Sequence, residues 1–133
     1  MKKLLQTAAA IGLLSITTFT NAAPSSGEWV AKLWNDSTGA YADTWSICIQ
    51  NGADWYVSSS LYTGIKGKWF SKGNDSHLQA IHSSGTAAVS FDVSRINNSL
   101  LTGYYKTLDS AGTAGYYTAT LTYKGKVCTP YIP

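Results

Sequence analysis

Two histidines, seven carboxylates and two cysteines are the side chains of this 133-residue chain best equipped for chemistry. His77 and His82 are five positions apart, an odd spacing that puts them on opposite faces of a regular strand. They are therefore not expected to share a metal ion. His82 precedes Ser83 and Ser84, the makings of a Ser–His pair, but neighbours in sequence do not amount to triad geometry. The carboxylates are Glu28, Asp36, Asp43, Asp54, Asp75, Asp92 and Asp109. Most fall in turns or at strand ends, where aspartate is ordinarily a turn former. Asp92 alternates with Ser90 and Ser94, which suits a solvated face. No two carboxylates are marked as an acid–base pair across a cleft. The chain also lacks G-x-S-x-G, H-E-x-x-H, C-x-x-C, a P-loop and a dinucleotide fingerprint. The expectation is a protein that is not an enzyme, with no catalytic residues, metal or cofactor.

Cys48 and Cys128 are expected to pair as a structural disulfide, since two cysteines in an oxidising compartment most often do so. The first 22 residues place the chain in such a compartment. Lys2 and Lys3 form a positive start, an apolar stretch runs from Leu4 to about Leu14, and Thr20-Asn21-Ala22 offers small residues for cleavage. Residues 1–22 are thus expected to be a cleaved signal peptide of bacterial type, and residues 23–133 a single exported β domain, periplasmic or extracellular. Removing the peptide leaves eight basic against seven acidic residues, a net of +1 where the whole chain has +3. That balance gives no basic patch of the kind nucleic acid requires. No second apolar run approaches the roughly 18–20 residues of a membrane helix, so membrane insertion is not expected.

From Ser25 onward the pattern is alternation, punctuated by Gly, Asn and Asp. It predicts strands over Glu28–Trp34, Thr44–Gln50, Asp54–Ser60, Gly67–Ser71, His77–His82, Ala87–Arg95, Leu100–Leu108 and Tyr116–Tyr123. A short tail strand is expected near Lys126–Thr129. About eight short strands with brief connections imply an all-β fold, a small antiparallel meander β-barrel, with a β-sandwich as the alternative. Trp45, Ile47 and Ile49 form one core face. Val89, Phe91 and Val93 form another, and Tyr117, Ala119, Leu121 and Tyr123 a third. Cys48 then points outward.

Aromatic residues occur in four adjacent pairs, and neighbours on a strand face opposite ways. Trp55, Trp69, Tyr105 and Tyr117 are assigned inward; Tyr56, Phe70, Tyr104 and Tyr116 form the outward set. Those four are the candidate interaction surface, because Tyr and Trp anchor contacts efficiently. Cross-strand ring pairing on a solvated face is the structural alternative. Trp29, Trp34, Trp45 and Trp69 are the candidate ligand-binding residues of the barrel or its mouth, with core packing as their alternative.

Gly27-Glu28-Trp29, Gly67-Lys68-Trp69 and Leu101-Thr102-Gly103-Tyr104 are similar to the Gly-x-Trp and Leu-x-Gly-Tyr patterns of avidin-like and lipocalin-like barrels. The resemblance implies that general barrel shape; no biotin-type polar constellation maps onto these positions. The functional expectation is an exported non-catalytic binding domain for a small apolar molecule or a glycan. The alternative is a secreted protein-interaction factor or inhibitor that uses the outward aromatics. Homo-oligomerisation is left open.

Overall fold

The computed structural model describes residues 23–59 and 62–133. The segment assigned as a signal peptide lies outside the described residues. Eight antiparallel strands follow one another around a closed barrel. They are β1 (Gly27–Asn35), β2 (Tyr41–Ile49), β3 (Asp54–Val57), β4 (Ile65–Lys72), β5 (Asp75–His82), β6 (Ala87–Asn97), β7 (Leu100–Asp109) and β8 (Ala114–Gly125). Strand β8 pairs back onto β1, which closes the sheet and leaves no edge strand among the eight. The meander barrel is therefore the fold, and the sandwich alternative is set aside.

Alternation decides what fills the interior. Trp29, Ala31 and Leu33 of β1 meet Trp45, Ile47 and Ile49 of β2, Trp55 and Val57 of β3, and Phe91, Leu101, Tyr105 and Leu121 from the far wall. The rings interlock: Trp45 meets Tyr105 at 5.0 Å, Trp55 meets Phe91 at 5.9 Å and Phe91 meets Tyr105 at 4.8 Å. Edge and tilted contacts of this kind contribute beyond area burial alone. Trp55 also donates its indole N–H to the Lys68 and Gln79 carbonyls at 3.1 Å each. Its cross-strand partner is Gly67, where a Cβ would stand 1.9 Å from the Gln79 carbonyl oxygen. Glycine is required there because strand β5 approaches too closely for any side chain.

Both barrel ends are stoppered. At one, Trp29 donates to the Ser25 carbonyl at 2.9 Å, and Tyr123, tilted against Trp29 with ring centroids 5.1 Å apart, donates to the Ser26 carbonyl. At the other, Tyr62 lies on Trp45 with ring centroids 4.8 Å apart and donates its hydroxyl to Asp43. Asp43 also accepts from the Trp45 indole and the Thr44 amide. Burial opposes ionisation of Asp43, but these bonds outweigh it and hold the carboxyl below its ordinary range. The same hydrogen bond, with burial added, pushes the Tyr62 phenol up.

Two expectations are corrected. Strand β3 ends at Val57, short of Ser60, because the Ser46 amide is taken by the Ser59 hydroxyl in place of a backbone carbonyl. Residues 126–133 form no strand. They cross the outer surface of β2 and β3, where the Cys48–Cys128 disulfide is formed with Cα atoms 5.7 Å apart. Cys48 does alternate outward from Ile47 and Ile49, yet it is buried beneath this tail.

The tail also satisfies a buried charge. Glu28 accepts from the Ser58 hydroxyl and the Thr129 amide, both at 3.3 Å, and its other oxygen lies 3.5 Å from the Lys124 ammonium. Burial opposes its ionisation, but hydrogen bonds from Thr129 and the attraction of Lys124 outweigh it and lower the pKa. A folded value below the ordinary 4.5 contributes stability that is whole above 4.5 and declines as pH falls through the folded value. Thermal melts of the protein and Glu28→Gln should therefore differ most near neutral pH and converge in acid. A gap that stays constant from neutral to acid would contradict this role for Glu28.

Candidate functional site

The closed meander sets side chains in rows that run across the strands, and the outer face of β4–β8 carries the most distinctive of them. Cross-strand register places Phe70 beside His77, His77 beside Asp92, Asp92 beside Tyr104 and Tyr104 beside Thr118. The row follows from the tight turns. Residues 73–74 set Lys72 opposite Asp75, and each step of two along the hairpin then aligns the next pair. Phe70 and Tyr104 are 64% and 56% exposed. His77 Nδ1 lies 2.5 Å from an Asp92 oxygen, its Nε2 lies 3.2 Å from the Gln79 amide oxygen, and its ring packs on Phe70 at 5.4 Å. These residues line a shallow open groove of about 1020 Å3, whose far side is formed by Asp75, Ser94, Thr102 and Thr120. Within it, Ser94 donates its hydroxyl to Asp75 at 2.6 Å.

A second groove of about 690 Å3 adjoins the first and shares Gln79 with it. Lys66, Lys68 and Lys106 line it together with Ile81, Leu108 and Tyr116. Asp54 pairs with Lys68 from the neighbouring strand, and Lys66 sits over the Tyr131 ring.

The four outward aromatics separate into two groups. Phe70, Tyr104 and Tyr116 all project from the β4–β8 face. Tyr56 does not join them: it is half-buried, donates to the Thr129 carbonyl at 3.0 Å and packs against Tyr131 of the tail. The candidate ligand-binding tryptophans also separate. Trp29 and Trp45 are packed in the core, and Trp69 is half-buried against it, with its indole donating to the Gln50 carbonyl at 3.0 Å. Trp34 sits in the outer row beside Thr118 and Tyr41. Leu33 before it points inward, and a bulge in β2 at Ala42 brings Tyr41 opposite it.

Other reactive groups are tied into local structure. His82 Nδ1 lies 2.6 Å from the Ser84 hydroxyl and accepts the Ser84 amide, so this Ser–His contact belongs to the β5–β6 turn. Burial pushes the Tyr105 phenol well above its ordinary value. Among the described residues, no group of three or more His, Cys, Asp or Glu is placed to hold a metal ion.

His77, Asp92 and the lysines of the second groove were not singled out as site residues from the sequence. The signal lay in hairpin register, which converts separate polar residues into one row. Comparison of the chain with protein-family models and with curated proteins finds no match, so the site rests on its own geometry.

Proposed function

We propose that the protein is an exported, non-catalytic binding domain that holds a glycan on the outer face of β4–β8. The observation that carries this reading is the row Phe70–His77–Asp92–Tyr104–Thr118. A sugar ring presents a C–H face that packs on an exposed aromatic ring, and hydroxyls at its edge that need paired donors and acceptors. The row supplies both at one level of the barrel. Asp92 keeps acceptor capacity beyond its bond to His77, and Thr102, Thr118 and Thr120 offer hydroxyls alongside. The filled interior and stoppered ends argue against a ligand inside the barrel. The disulfide supports export, since such bonds persist in oxidising compartments.

Titration against a panel of neutral oligosaccharides tests this reading. Tyr104→Ser and Phe70→Ser should each weaken binding by about tenfold, the equivalent of about 1.4 kcal/mol. Their melting temperatures should stay close to the parent's, because both rings are exposed. Undiminished binding by both variants, or no binding to any oligosaccharide, would remove the proposal. A protein partner is the second reading, favoured by the aliphatic Ile81 and Leu108, which lie 68% and 49% exposed on the same face. It requires that Ile81→Ser abolish capture of a defined partner while sugar binding is absent from the start.

A further inference from the structure

The outer face of β4–β8 changes character in an orderly way from one end to the other. Four successive rows are defined by pairing of β5 with β6 and of β6 with β7. The first holds Asp75, Ser94 and Thr102; the second His77, Asp92 and Tyr104; the third Gln79, Ser90 and Lys106; the fourth Ile81, Ala88 and Leu108. Strand β4 contributes Lys72 to the first row, opposite Asp75, Phe70 to the second, Lys68 to the third and Lys66 to the fourth. Strand β8 adds Tyr116 to the third and Ala114 to the fourth. The face thus runs from a polar row in which Lys72 stands opposite Asp75, through an aromatic and hydrogen-bonding row, to a row holding Lys68 and Lys106, to an aliphatic row flanked by Lys66. Rows two residues apart stand about 7 Å from each other, so the gradient spans about 20 Å.

The basic and apolar rows have features that a plain sugar would leave unused. Three lysines line the second groove, and no carboxylate is among its lining residues. Asp54, from β3, pairs with Lys68 and offsets one of the three lysine charges, which leaves the groove net positive; Asp109 accepts the Ala111 and Thr113 amides of its own turn. Ile81 and Leu108 are exposed beside Ala88 and Ala114, at the barrel end that carries the 83–86 and 110–113 turns. Exposed aliphatic side chains gathered at one place mark a contact surface.

We infer that the ligand of this face is the headgroup region of an anionic glycolipid, an inference that rests on the glycan reading above. The sugar lies on Phe70, Tyr104 and the Asp92 row. The negative group, a phosphate or carboxylate, falls on Lys68 and Lys106. The start of the acyl chains falls on Ile81 and Leu108. The order sugar, anion, acyl chain in the molecule matches the order of the rows on the protein. A second copy of the chain fits less well, because a symmetric contact through the basic groove would set lysines against lysines. The grooves are open and shallow, which suits the surface of an assembled lipid layer better than extraction of a whole acyl chain.

The test uses the disulfide-bonded protein and three probes. The first is phosphatidylcholine vesicles carrying a phosphorylated, acylated disaccharide. The second is the same phosphorylated disaccharide without its acyl chains, in solution. The third is phosphatidylcholine vesicles with phosphatidylglycerol at matched charge. The first should bind at least about tenfold more tightly than either of the others. Lys68→Gln with Lys106→Gln should remove most of that advantage, and raised salt should do the same. Ile81→Ser with Leu108→Ser should weaken the first probe and leave the second unchanged. Equal binding of the first and second probes overturns the inference while the glycan reading stands. Equal binding of the first and third also overturns it, by reducing the effect to surface charge. Failure of every sugar-bearing probe, neutral oligosaccharides included, removes both.

Discussion

Replacing Trp55 by alanine should destabilise the protein by about 3–5 kcal/mol, the largest loss expected of any single substitution. The indole is 1% exposed and meets Phe91 edge-on. Its N–H is shared between the Lys68 and Gln79 carbonyls, so it ties β3 to β4 and β5 at once. The tight β4–β5 approach beside Gly67 leaves little freedom for the wall to collapse into the vacated space. Domains of this size have total stabilities of about 5–15 kcal/mol, so the variant should be marginal at room temperature. Trp55→Phe separates the two contributions. It keeps a ring in the core but leaves the carbonyls without the indole donor, and its loss should be about 1–3 kcal/mol. Chemical denaturation of the three proteins reads this directly. Equal losses for alanine and phenylalanine would show that the hydrogen bonds dominate and that the packing account is wrong.

The second large effect is expected from the disulfide. Cys48 and Cys128 are 80 residues apart, and a loop of that length corresponds to about 4–5 kcal/mol in the chain-entropy model. Local consequences add to the global one. Without the bridge, residues 126–133 keep the Thr129 contacts to Glu28 and Tyr56 and the Gly64 to Ile132 bond as attachments. Strand β3 beneath it is four residues long and has three cross-strand partners on each side. The Cys48→Ser, Cys128→Ser variant should therefore melt well below the parent, with hydrogen exchange at Trp55–Val57 accelerating more than at the long β6–β7 pairing. Uniform acceleration across the barrel would place the effect in the unfolded chain alone. Because the tail meets the β4–β8 face at Lys66, which lies over the Tyr131 ring, and not in the Phe70–Thr118 row, sugar binding in that row should survive in whatever fraction remains folded.

Side-chain alternation made much of this fold legible in the sequence. Trp45-Ser46-Ile47-Cys48-Ile49 and Val89-Ser90-Phe91-Asp92-Val93 announce both the strands and the faces they bury, and Asn51-Gly52 and Ser84-Gly85 announce turns between them. Alternation weakens wherever a long-range contact decides the outcome. The bulge at Ala42 that sets Tyr41 beside Trp34 depends on pairing with β1. The path of the tail depends on Glu28, Tyr56 and Cys48, all more than 70 positions away. Tyr56 alternates outward as expected, yet the tail covers it, so exposure could not be read from parity.

Charge was similarly hidden. A near-neutral total contains no hint that Lys66, Lys68 and Lys106 meet around one groove, because β4 and β7 are brought to the same face only by the register of β5 and β6. The aromatic row was half legible. Phe70 and Tyr104 were singled out by their doublets, whereas His77 and Asp92 join them only through hairpin register.

The central claim is that ligand is held on the outer face of β4–β8 and not inside the barrel. Chemical-shift mapping of the isotopically labelled protein during titration with a bound oligosaccharide tests it most directly. The account predicts that amides around His77, Asp92, Tyr104 and Thr118 move, while the indole N–H signals of Trp29, Trp45 and Trp55 stay in place. Shifts of those interior indoles, with the β4–β8 face silent, would contradict it.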